Sequence, residues 1–153
     1  MLPQRINLIA YSTLAVIICY IDRVNISVAI IPMQEQFGWS DSQVGFIFSS
    51  FYIGYMLTMA LGGYLSDKFG GKLVLGYGVV LWSIFTILTP LAAHNGFFAL
   101  FIMRVLMGIG EGVTFPAWQS LYARWIPFKE RTRAIAFTNS GISIGTIIGY
   151  IGT

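Results

Sequence analysis

Asp22 and Arg23 stand side by side inside the apolar run CYIDRVNISVAI (residues 19–30), with Asn25 three residues beyond the acid. A second charged pair, Arg104 and Glu111, is set seven residues apart in RVLMGIGEGV (residues 104–113). Seven residues are two helical turns, so both side chains fall on one helix face, about 10 Å apart in rise. That is long for a direct pair. Partners on another helix are expected instead: Arg104 with Asp22, and Glu111 with Arg23 or with a proton. The chemistry available to such a set is that of anions and protons. A guanidinium grips a carboxylate or phosphate through its planar fork. Burial favours the neutral form of a carboxyl group and a neighbouring cation favours the charged form, so an acid placed between these effects can exchange a proton. A substrate anion and a proton then compete for one cation, or satisfy it jointly. The same residues also admit a plainer reading, a salt-bridge set that only specifies helix packing. Tyr20, Tyr52 and Tyr55 are candidate hydroxyl donors, and Asn25 can orient Asp22 or bridge to water.

The elements that would position these groups are membrane spans. The chain has 153 residues, 56% of them hydrophobic and only 10% charged, against about 25% charged in a soluble domain. Its mean hydropathy is +0.75. This is an all-α membrane protein by composition. The net charge of +3 is small, so no nucleic-acid partner is expected. The single cysteine, Cys19, excludes an intrachain disulfide. There is no Cys/His cluster for a metal, no nucleophile elbow and no phosphate-binding loop, so neither an enzyme nor a cofactor is expected. His94 receives no role.

Four segments have the roughly 20 apolar residues that a spanning helix needs: about 7–31, 44–65, 73–92 and 97–122. A fifth, about 134–153, is still apolar and glycine-rich at Thr153. The chain therefore reads as the first four helices and part of the fifth of a longer protein. The first run is about twice the length of a signal-peptide core, and is read as a retained span. Pro32 is expected to close it. Ser40 with Gln43 forms a capping box for the second span. The run SDKFGGK (residues 66–72) makes a charged turn, Asn95-Gly96 another, and Pro127 stops the fourth span. Glu130 opens the fifth, where an acid suits the helix dipole. Gly141, Gly145 and Gly149 recur every fourth residue, which is small-residue helix packing.

Outside the spans, Arg5, Lys68, Lys72, Arg124, Lys129, Arg131 and Arg133 all fall on one side, while the opposite loops hold only Glu35, Asp41 and His94. The positive-inside rule puts the N-terminus in the cytoplasm. The basic residues left over are Arg23 and Arg104. Left unpaired in lipid, these two with Asp22 and Glu111 would cost on the order of 10 kcal/mol. They must therefore face protein or a wet cavity. Counted from the outer ends of their spans, Asp22 lies about 14 Å deep, Arg104 about 10 Å and Glu111 about 21 Å. One shared site is thus feasible. Gly108, Gly110 and Gly112 leave room beside the acid for a neighbouring helix or a ligand. Asp67, at a helix end that disfavours an acid, reads either as half of a breakable gate contact or as part of a tight turn.

The string G-x-x-x-D-[RK]-x-G at Gly63–Gly70, followed by Lys72, resembles the signature loop of the major facilitator superfamily. Position 71 is Gly where that pattern usually has Arg or Lys. DRVNISVAI and RVLMGIGEGVTFPAWQSLYARWIPFKERTRA are similar to the anion:cation symporter family, which includes sialic acid, vesicular glutamate, plastid phosphate and bacterial galactonate and hexuronate transporters. The resemblance implies a twelve-helix transporter of two six-helix halves, moving small organic anions such as sugar acids with protons. It implies proton-coupling roles for Asp22 and Glu111, and substrate-binding roles for Arg23, Tyr20 and Tyr55. For Arg104 it implies a place at the substrate site, tuning the acid seven residues later. Asp67, Lys68, Gly63 and Gly70 would serve gating. The partners implied are a small anion, protons or sodium, the lipid bilayer, and the C-terminal half of the same polypeptide. Alternatives are an inorganic phosphate or sodium-coupled carrier, and a non-transporting membrane fragment or scaffold. Five residues before the first span favour a bacterial inner membrane, with an organelle membrane as the alternative.

Overall fold

The computed structural model describes residues 2–152, in which every regular element is an α-helix: α1 (Leu2–Phe37), α2 (Asp41–Phe69), α3 (Gly71–His94), α4 (Phe97–Gly112), α5 (Thr114–Trp125) and α6 (Phe128–Ile151). With α4 and α5 taken as one span, five helical segments among the described residues are long and apolar enough to cross a bilayer. They form two compact units. One comprises the chain up to Ala29 together with the chain from Leu121 on; the other is Ile30–Ser120.

In the second unit, α4 packs against both α2 and α3. Lipid supplies no hydrophobic drive between helices, so close packing of small residues has to do it. Gly54 of α2 abuts the Val105 carbonyl, and Gly108 of α4 abuts the Phe51 carbonyl. On the α3 side, a Cβ at Gly78 would lie 2.8 Å from the Gly110 carbonyl oxygen, and one at Gly110 would lie 2.9 Å from the Trp82 nitrogen. The glycines around Glu111 thus accommodate neighbouring helices. Phe51, Trp82 and Met107 form one buried core; Ile30, Trp39, Ile47, Ala93 and Leu100 form another.

The first helix does not close at Pro32. It continues to Phe37 with the proline inside it. Proline removes one backbone hydrogen bond and costs about 3 kcal/mol in a helix interior. Here Met33 and Phe37, beyond the proline, pack on the Ile30–Trp39–Ile47 core, and this burial holds the last turn helical. Gly38 then ends the helix with a φ of 65°.

The fourth span is broken where a continuous helix is expected. Val113 is the C-cap of α4, and α5 starts at Thr114. Pro116 explains the break: it has no N–H for the Gly112 carbonyl, and its ring crowds that carbonyl. The charged turn after α2 is also shorter than the sequence suggests. Asp67 and Lys68 lie in the last turn of α2, and the chain reverses at Gly70 alone, with a φ of 89°. Only glycine adopts that conformation freely. The capping box of Ser40 and Gln43 is present, and Asn95 caps α3.

In the first unit, α6 lies on α1 through its glycine repeat. A Cβ at Gly141 would meet the Thr13 carbonyl oxygen at 3.1 Å, one at Gly145 the Ile17 carbonyl oxygen at 2.5 Å, and one at Gly149 the Val24 side chain at 2.9 Å. Buried Tyr122 and Thr138 share a hydroxyl hydrogen bond. Arg131 donates to the Ala123 carbonyl at 2.9 Å, and Arg5 pairs with Glu130 at 3.8 Å.

Candidate functional site

α4 buries both of its charges. Arg104 is 4% exposed and Glu111 is fully buried. Neither faces lipid, as the energetics of intramembrane charge require. The guanidinium of Arg104 lies 5.1 Å from the centre of the Phe51 ring, a cation–π contact worth about 2 kcal/mol when desolvated. Its Nη1 donates to the Met107 sulfur at 3.2 Å, and the Thr86 hydroxyl approaches the same sulfur at 3.8 Å. Residues of α2, α3 and α4 therefore fix this cation. Tyr55 joins the group through Phe51, whose ring it stacks against at 5.8 Å.

Glu111 occupies the last turn of α4, next to the Val113 break, with Thr114 fully buried just beyond it. Glu111 thus sits one turn or so before Pro116, where the helix is interrupted.

In the other unit, α1 carries Tyr20, Asp22 and Arg23, all half-buried. The Arg23 guanidinium lies 5.0 Å from the centre of the Tyr20 ring, three residues back and so on one helix face. Asn25 is exposed. Four of the residues singled out in the sequence are thus brought into two groups, Arg23 with Tyr20 and Arg104 with Tyr55.

At the α2–α3 turn, Asp67 Oδ1 accepts from the Ser120 hydroxyl of α5 at 3.3 Å. Lys68 extends over the rings of Tyr64 and Phe69, at 5.7 Å and 5.4 Å. Gly70 supplies the reversal. Gly63 meets open space and would accept a side chain. Phe51, Met107 and Ser120 were missing from the sequence reading. The first two carried a usable signal: Phe51 stands four residues before Tyr55 and Met107 three after Arg104, each on a shared helix face.

Five apolar crossings, with an arginine and a glutamate enclosed in one of them, define a multi-pass membrane protein that holds charge inside the bilayer. Residues 12–153 match the Major Facilitator Superfamily, and the chain belongs to that family. It is 48% identical over 147 residues to the ascorbate transporter, chloroplastic, of Arabidopsis thaliana, covering 96% of this chain and 27% of that protein. It is 46% identical over 147 residues to the sodium-dependent phosphate transport protein 1, chloroplastic, of the same plant, covering 96% of this chain and 29% of that protein. Its structure is similar to that of a bacterial homolog to the human lysosomal transporter Spinster, in an inward-facing and unoccupied conformation. The TM-score is 0.89 at 29% identity, covering 96% of this chain and 30% of that chain. The chain thus spans between 27% and 29% of the length of these two plant relatives.

Proposed function

We propose that this chain is the leading part of a secondary transporter for small organic anions, carboxylates such as sugar acids, driven by protons through alternating access. The observation that carries the reading is the burial of Arg104 and Glu111 on one face of α4, with Arg104 4% exposed and Glu111 fully enclosed. Ionisable groups kept inside a membrane span mark substrate and proton routes. The plant relative named for ascorbate, a small organic anion, supports the substrate class.

In this reading Arg23, Tyr20, Tyr55 and Arg104 hold the anion, and Asp22 and Glu111 carry the coupling proton. Asp67, Lys68, Gly63 and Gly70 form the gate, and the rest of the cavity comes from a C-terminal half of the same polypeptide. The basic loops mark the cytoplasmic side, where the N-terminus lies. The relatives named as chloroplastic favour an organelle membrane over the bacterial inner membrane expected from the sequence. A second reading, sodium-driven phosphate transport, draws on the relative named for that activity.

The test is uptake into proteoliposomes by the full-length polypeptide that contains this chain. The panel is ascorbate, a sugar acid and phosphate, each under an imposed proton or sodium gradient. The proposal expects proton-driven uptake of the organic anions, the sugar acid above all, loss of uptake in Arg23→Ala, and in Glu111→Gln exchange that no longer concentrates substrate. Uptake undiminished in Arg23→Ala removes the binding role. Accumulation that still follows the proton gradient in Glu111→Gln removes the coupling role. Phosphate uptake that needs sodium favours the second reading.

A further inference from the structure

A groove of about 330 Å³ opens between α2, α3 and α4. Leu65 and Phe69 of α2, Leu73 and Tyr77 of α3, and Ile109 and Val113 of α4 line it. The one hydroxyl on its α2 wall, that of Thr58, is already donated to the Gly54 carbonyl at 2.8 Å. The groove therefore offers apolar contact along its length. From Leu73 to Leu81 its α3 wall rises about 12 Å. With about 30 Å³ per water-sized unit, the volume matches roughly ten methylene groups of a single extended chain. Only 11% of the most apolar window of α3 is buried, against 50% for the Phe97–Trp125 span. The wall that closes the groove thus belongs to a sparsely covered helix.

The end of the groove at the α2–α3 turn is cationic. Lys68 lies over the Phe69 ring, itself part of the lining, at 5.4 Å. Lys72 directly precedes Leu73. Both lysines are exposed. The acid at this turn, Asp67, accepts a hydrogen bond from Ser120 of α5.

We propose that this groove is a binding site for one acyl chain of an anionic phospholipid, whose phosphate headgroup rests on Lys68 and Lys72. Lysines at a membrane surface attract anionic lipid additively, and two of them at one mouth favour an anionic over a zwitterionic headgroup by about thirtyfold. The apolar wall holds the chain, and the cations set the headgroup and the leaflet.

The experiment is native mass spectrometry of the purified full-length polypeptide that contains this chain, in detergent. It is titrated with phosphatidylglycerol, with phosphatidylcholine of identical acyl chains, and with glycerophosphoglycerol, the headgroup alone. The expected result is retention of one phosphatidylglycerol about thirtyfold tighter than phosphatidylcholine, no competition by the soluble headgroup, and loss of the preference in Lys68→Gln/Lys72→Gln. These surface changes leave the helix core intact, and circular dichroism checks that. Equal retention of the two lipids overturns the proposal, as does a preference that survives the double substitution. Displacement by the headgroup alone shows a free-phosphate site and overturns the acyl-chain assignment.

Discussion

The guanidinium of Arg104 sits over the ring of Phe51, 5.1 Å from its centre. A cation on α4 is thereby tied to an aromatic on α2, at the level where Gly108 lets the two backbones touch. Phe51→Leu should destabilise the chain by about 2 kcal/mol, since it removes a cation–π contact and part of a buried ring. Phe51→Tyr should cost markedly less. Thermal unfolding in detergent measures both, and equal losses in the two variants would argue against the cation–π contribution.

Gly145 faces the Ile17 backbone across the α1–α6 contact, with no room for a side chain. Gly145→Val should lose about 1–3 kcal/mol through overpacking. Gly76 on α3 meets open space, so Gly76→Ala should be neutral or slightly stabilising through helix propensity. Chemical denaturation of the two variants side by side separates interface glycine from surface glycine.

Pro116 places the break between α4 and α5. In Pro116→Ala the new amide can pair with the Gly112 carbonyl, so hydrogen exchange should slow between residues 113 and 117. Unchanged exchange there would show that packing around buried Val113 and Thr114, rather than the proline, breaks the helix.

Ser120 donates to Asp67 across 3.3 Å at an exposed turn. Ser120→Ala should therefore lower stability by only about 0.5–1.5 kcal/mol, the net worth of an ordinary hydrogen bond. Within that small loss, a cycle with Asp67→Asn should show coupling between the two positions. Additive effects would place no energy in this contact.

The buried charges were legible because an ionisable residue in an apolar run has few tolerable environments. Their neutral supports were not. Phe51 and Met107 look like ordinary lipid-facing or core residues until α2 crosses α4. Ser120 became a partner of Asp67 only through the approach of α5 to the end of α2. Pro116 was visible in the sequence, but a span counted by length and apolarity passes over one internal proline.

Composition and spacing alone determined that the chain carries four membrane-spanning segments and part of a fifth, that Arg104 and Glu111 share one helix face, and that Gly141, Gly145 and Gly149 share another. Those conclusions follow from the bilayer thickness and the helical period, which act on each segment by itself. Tertiary structure decided the neighbours: α4 between α2 and α3, Arg104 over Phe51, and α1 carried past Pro32 by the burial of Met33 and Phe37. Helical periodicity tells which residues share a face. It does not tell what that face will meet, because that depends on which distant glycines let two backbones approach.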